Sequence, residues 1–67
     1  MMMIKFTNNL DGYKGDPLYL NRDWIAAVYE KDTDGGSLRT IIWGGPTGQA
    51  WEVEESLNEV IKKIEAS

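Results

Sequence analysis

Three glutamates stand close together late in the chain, Glu52, Glu54 and Glu55. Paired carboxylates can do general acid–base hydrolysis. They must then be held across a cleft in different environments, one protonated and one charged. Neighbours along a strand and into a helix start do not meet that need. Their place ahead of an apolar stripe predicts a solvated face and a match to the positive end of a helix dipole. Asp32-Thr33-Asp34-Gly35-Gly36 opens like a calcium loop. Such a loop wants a third oxygen ligand, then a glycine, then a glutamate at the twelfth position. Gly36, Ser37 and Trp43 hold those places, so a hairpin turn is the better reading. Gly44-Gly45-Pro46-Thr47-Gly48 is glycine-rich but lacks the lysine of a phosphate loop, and no helix follows it. The chain has no histidine and no cysteine. That excludes Ser/His/Asp and Cys/His nucleophiles, thiolate metal sites and disulfides. The residues therefore predict a non-enzymatic protein, with no catalytic, cofactor-binding or metal-ligating side chains.

The elements that position these residues belong to one small domain. The chain has 67 residues, eleven acidic and seven basic, for a formal charge of −4. A chain this short buries a thin core, and oligomerisation is one way to bury more. Nothing resembles the clustered lysine and arginine that phosphate backbones require, so nucleic acid is not an expected partner, nor is an anionic membrane surface. No apolar run approaches the roughly 20 residues that span a bilayer, so membrane insertion is not expected. The first residues lack the features of a signal peptide, and a soluble, cytoplasmic protein is the expectation.

The best-specified stretch is Gln49 to Ala66, a short strand running into an amphipathic helix. Ser56 is an N-cap candidate with Glu59 three residues on, the spacing of a capping box. Leu57, Val60, Ile61 and Ile64 then form one apolar stripe, with Lys62 and Lys63 near the negative end of the dipole. A helix this short is marginal alone, so its stripe must pack on a sheet. That sheet is read from the rest of the chain. Met2 to Asn8 alternates with the two-residue period of a strand. Leu18 to Leu20 is a second strand, with Pro17 suited to its start. Asn21-Arg22-Asp23 is a polar turn of the kind Asn and Asp side chains stabilise. Trp24 to Lys31 reads as a third strand, with helix as runner-up, and Ser37 to Trp43 as a fourth. Gln49 to Val53 is the fifth. The predicted fold is α+β, a small antiparallel meander of four or five strands with the C-terminal helix packed on it. The expected core is Ile4, Phe6, Leu18, Leu20, Ile25, Val28, Leu38, Ile42, Trp51, Val53, Leu57, Val60, Ile61 and Ile64. The Leu38/Ile42 face of the fourth strand is the one expected inside, because Arg39 prefers water.

Three tryptophans, three tyrosines and one phenylalanine are more aromatic surface than so thin a core hides. Trp43 and Trp51 flank the Gly44–Gly48 turn and are placed to form a cross-strand pair. The functional alternative is an exposed patch, since tryptophan and tyrosine are enriched where proteins bind one another. Tyr13, Tyr19, Trp43 and Trp51 are the candidate partner-binding residues, and the partner expected is a protein, with a second copy of this chain as another possibility.

The order of features is also suggestive. Ile4-Lys5-Phe6-Thr7 opens the chain, Leu10 to Gly12 forms a turn, Leu20-Asn21 follows, and Thr40-Ile41-Ile42 lies in a later strand. A glycine turn at Gly48 then leads to Val53-Glu54-Glu55-Ser56-Leu57-Asn58-Glu59-Val60-Ile61. This resembles the FlbD/SwrD-type family of small bacterial flagellar and swarming motility proteins. The resemblance covers most of the chain and implies an α+β fold and a motility accessory role. It implies no functional residues. The alternative expectation is a small phage or mobile-element accessory protein that binds a host protein.

Overall fold

A computed structural model describes residues 2–33 and 35–67. Strand β1 (Met3–Thr7) buries Ile4 and Phe6 and leaves Met3 and Lys5 outside, as its alternation requires. It pairs antiparallel with β2 (Pro17–Asn21), placing Ile4 opposite Leu20 and Phe6 opposite Leu18. A 3-10 turn, Arg22–Trp24, then turns the chain away. Asn21 caps it, its Oδ1 accepting from the Asp23 amide at 3.0 Å. Strands β3 (Ile25–Asp32), β4 (Leu38–Gly44) and β5 (Gln49–Val53) follow as an antiparallel meander.

The fold is α+β, with a two-stranded and a three-stranded antiparallel sheet and one C-terminal helix among the described residues. The meander expected of all the strands holds for the last three. The 3-10 turn sends β3 away from β2, so these sequence neighbours do not pair, and the end of β1 meets the end of β5 instead. A single bridge joins Asn8 to Val53. Around it the Asn9 amide donates to the Glu52 carbonyl at 3.0 Å and the Glu54 amide to the Thr7 carbonyl at 2.9 Å. The two sheets, β1-β2 and β3-β4-β5, meet at that bridge.

Helix α1 (Leu57–Ala66) has both halves of the capping box. The Glu59 amide donates to Ser56 Oγ at 3.2 Å, and the Ser56 amide donates to Glu59 Oε1 at 3.1 Å. Val60 is fully buried among Ile4, Phe6, Leu20, Ile42 and Val53, with Leu18, Ile25, Val28, Trp51 and Ile64 packed around them. Lys63 Nζ donates to the Lys5 carbonyl at 2.9 Å and lies 5.8 Å from the centre of the Phe6 ring, which fastens the helix to β1.

Two expected core residues lie outside. Leu38 is 62% exposed. Its face is the inner one, since Thr40, Ile42 and Gly44 are buried, but Leu38 pairs with Asp32 at the far end of the β3–β4 hairpin, beyond the reach of the core. Ile61 is 40% exposed. Leu57, Val60 and Ile64 span an arc of only about 60° on the helix, and Ile61 falls past its margin. The β3–β4 connection closes through the Gly36 amide donating to the Thr33 carbonyl at 2.9 Å and the Ser37 amide donating to Thr33 Oγ1 at 3.2 Å. Asp34, part of the turn read from the sequence, lies outside the described residues, as does Met1. No helix of the described residues is long and apolar enough to cross a membrane.

Candidate functional site

The carboxylates singled out by the sequence do not converge. Glu52 projects from β5, and its Oε2 accepts from Arg39 Nη1 at 2.9 Å and from Asn9 Nδ2 at 3.0 Å. Glu55 precedes the helix, and its carboxylate accepts from the Thr7 amide and from Thr7 Oγ1, each at 2.9 Å. Glu54 is exposed. A solvated face was the expectation for all of them. Glu52 and Glu55 instead act as braces, one beside the β4–β5 ladder and one between β1 and the helix start. Glu59 has its carboxyl held below the usual range, first by the hydrogen bond from the Ser56 amide and then by the Ser56 side chain. That reflects its capping role. No cluster of three metal-ligating side chains occurs among the described residues.

The aromatic candidates divide. Residues directly opposite in an antiparallel ladder share a face. Trp51 lies opposite Ile42, and Trp43 opposite Ala50. Trp43 and Trp51 therefore stand on opposite faces of the sheet, and the cross-strand pair expected of them does not form. The reason is parity: one residue of register separates the two sites, and one residue turns a side chain over. Trp51 points inward and is half-buried against the core. Trp43 is exposed on the outer face, where Tyr29 is also exposed and Ile41 half-buried. Tyr13 is exposed in the loop between β1 and β2.

Trp51 and Tyr19 do come together. They line one groove of about 270 Å³ with Met3, Leu18, Leu20, Asn21 and Trp24. Tyr19 is 56% exposed, and Met3 and Trp24 are each 51% exposed, so the rim is apolar and open to water. Leu18 and Leu20 supply the floor from β2. The sequence pattern makes Trp24 the first residue of a strand. It ends the 3-10 turn instead, and this carries its ring to the groove. The signal for this was present in Asn21-Arg22-Asp23, a self-capping turn immediately before it. Gly44 fixes the position of Trp24 from behind. A Cβ there would collide with the Trp24 carbonyl oxygen, and the neighbouring Gly45 amide donates to that oxygen at 2.8 Å. The lining carries no charged side chain. The polar side-chain groups of its lining residues are two indole N–H groups, a phenol and one amide.

No protein-family model matches this chain, and no curated protein or solved structure matches it significantly.

Proposed function

We propose that this chain is a non-enzymatic protein-interaction module and that the groove beside β2 is its contact surface. One observation carries the reading. Met3, Tyr19 and Trp24 gather around one groove and each leaves about half of its surface in water. Large apolar groups exposed together mark binding sites more often than scattered ones do, and tryptophan and tyrosine are the residues that anchor interfaces. The likeness of the strand and helix pattern to the FlbD/SwrD-type family supports a bacterial motility accessory role for the module.

The test is a photo-cross-linking residue placed at Tyr19 in cells, with the same residue at Leu38 as control. Leu38 is still more exposed and lies at the far end of the β3–β4 hairpin. A discrete adduct from position 19 that position 38 does not give supports the reading. The same adducts from both positions, or none from position 19, contradict it. Flagellar or swarming proteins in the adduct would support the motility role, and phage-directed host targets would replace it.

A further inference from the structure

We infer that the free edge of β2 pairs with the β2 of a second copy of this chain, antiparallel and centred on Tyr19. This contact is made by the backbone edge of the strand, not by the groove beside it, so it goes beyond the reading above and can fail while that reading stands.

Strand β2 has one neighbour, β1, among the described residues. The Arg22 amide donates to the Met2 carbonyl at 2.9 Å, and the Asn8 amide to the Asp16 carbonyl at 2.8 Å. Bonded pairs alternate along an antiparallel ladder, so Leu20 and Leu18 turn their backbone groups to Ile4 and Phe6. Pro17, Tyr19 and Asn21 turn theirs the other way, to the open edge. Such an edge is a template for another strand unless it is blunted. Strand β3, also at an edge, is blunted. Its register shifts between Ile25 and Ala27, and it carries Glu30, Lys31 and Asp32 in a row. Bulges and edge charges both discourage pairing. Between Asp16 and Arg22 the edge of β2 has no charged residue.

The residues along this edge select the occupant. Asp16-Pro17-Leu18-Tyr19-Leu20-Asn21-Arg22 is complementary to itself when reversed. In an antiparallel pair centred on Tyr19, Tyr19 faces the partner's Tyr19, Leu18 faces the partner's Leu20, and Asp16 faces the partner's Arg22. The two-fold axis makes each of these contacts twice. Tyr19 exchanges both backbone bonds with its counterpart, and the Asn21 amide donates to the partner's Pro17 carbonyl. Pro17 has no N–H, so the ladder closes there at each end. The side chains agree with the backbone. Leucine meets leucine on one face, and on the other the Tyr19 side chain, in a residue 56% exposed in the single chain, gains a cross-strand neighbour. Asp16 and Arg22 are both exposed. They flank the strand at opposite ends, about 20 Å apart, so they cannot pair within one copy. Across the two-fold each meets its opposite charge. A register slipped by one residue sets Asp16 opposite Leu20, or Arg22 opposite Leu18, and loses the match. The pair forms one antiparallel sheet in the order β1-β2-β2-β1 and leaves no β2 edge for a third copy. A small domain with a thin core gains buried surface by it.

The experiment measures the mass of the full chain by sedimentation equilibrium from about 10 μM to about 1 mM. The mass is expected to rise to that of two chains and no further. Tyr19→Pro removes the central N–H, which faces away from β1, and proline is tolerated at such an edge position. The folded variant is expected to stay monomeric. Asp16→Arg and Arg22→Asp each set like charges opposite one another and are expected to weaken the pairing about tenfold or more. The double variant exchanges the two charges and is expected to recover it. Circular dichroism confirms which variants are folded, and the charge exchange carries the test if Tyr19→Pro is not. A chain that is monomeric throughout, an assembly larger than two, a dimer kept by folded Tyr19→Pro, or a double variant no better than the single ones overturns the inference. A monomer that still gives an adduct with another protein from position 19 overturns this inference alone and leaves the interaction reading standing.

Discussion

Glu55 holds Thr7 twice. Its carboxylate accepts from the Thr7 amide and from Thr7 Oγ1, both at 2.9 Å, across a separation of 48 residues. The contact closes the fold, because it ties the last ladder residue of β1 to the approach of α1 beside the single bridge between the sheets. Hydrogen bonds to a charged acceptor are the stronger kind. Glu55→Ala should therefore cost about 1.5–3 kcal/mol in urea unfolding. A loss of a few tenths would show that the sheets are held together without it.

The capping box makes the helix start sensitive to acid. Glu59 has a depressed pKa in the fold, so its stabilising contribution is present above its unfolded pKa and is lost as pH falls through the folded value. Wild type should lose its advantage over Glu59→Gln as the solution is acidified through and below the ordinary carboxylate range. The difference between their urea midpoints at a series of pH values reads this directly. A difference that grows on acidification would reverse the sign and remove the assignment. Ser56→Ala should cost about 1 kcal/mol at neutral pH through the lost cap.

Val60 and Ile61 are neighbours with different fates. Val60 is fully buried and Ile61 is 40% exposed. Val60→Ala should cost about 2 kcal/mol from lost burial plus a cavity. Ile61→Ala should cost about 1 kcal/mol or less, since much of its side chain already meets water. Chemical denaturation of both variants settles the order, and an Ile61 variant that is the weaker of the two would mean that the helix packs on its other flank.

Gly44 is where the backbone leaves no room. Gly44→Ala would drive a methyl group into the Trp24 carbonyl. Overpacking of this sort costs about 1–3 kcal/mol. Here it should also displace Trp24, and near-ultraviolet circular dichroism should change with the melting point. An alanine variant with unchanged stability and unchanged aromatic signal would show that Trp24 is not seated against β4.

Local chemistry made much of this fold legible. The capping box from Ser56 to Glu59, the alternation of Ile4 and Phe6 and the parity of Thr40 and Ile42 all follow from residue type and spacing. What escaped the sequence was set at longer range. The Asn8–Val53 bridge joins segments with no shared local pattern, and it decides where the two sheets meet. Leu38 has the right parity for the core but stands beyond its edge, which depends on how far a hairpin projects. The groove was half visible. Tyr19 and Trp51 were marked by being aromatic in a chain with little core to hide them. Trp24 carries no such signal because the pattern around it is that of a strand, and Trp43 carries a false one because register, which places it on the other face, is a property of the ladder rather than of the residue.

The aromatic rim of the groove is proposed to serve a partner rather than the fold, and Trp24→Ala tests this most directly. The variant's unfolding free energy and its retention of the partner cross-linked through position 19 are measured side by side. A rim that serves a partner predicts a stability change within about 1 kcal/mol together with loss of most of the partner. Full retention of the partner by a folded variant, or a collapse in stability large enough to place Trp24 in the core, would contradict it.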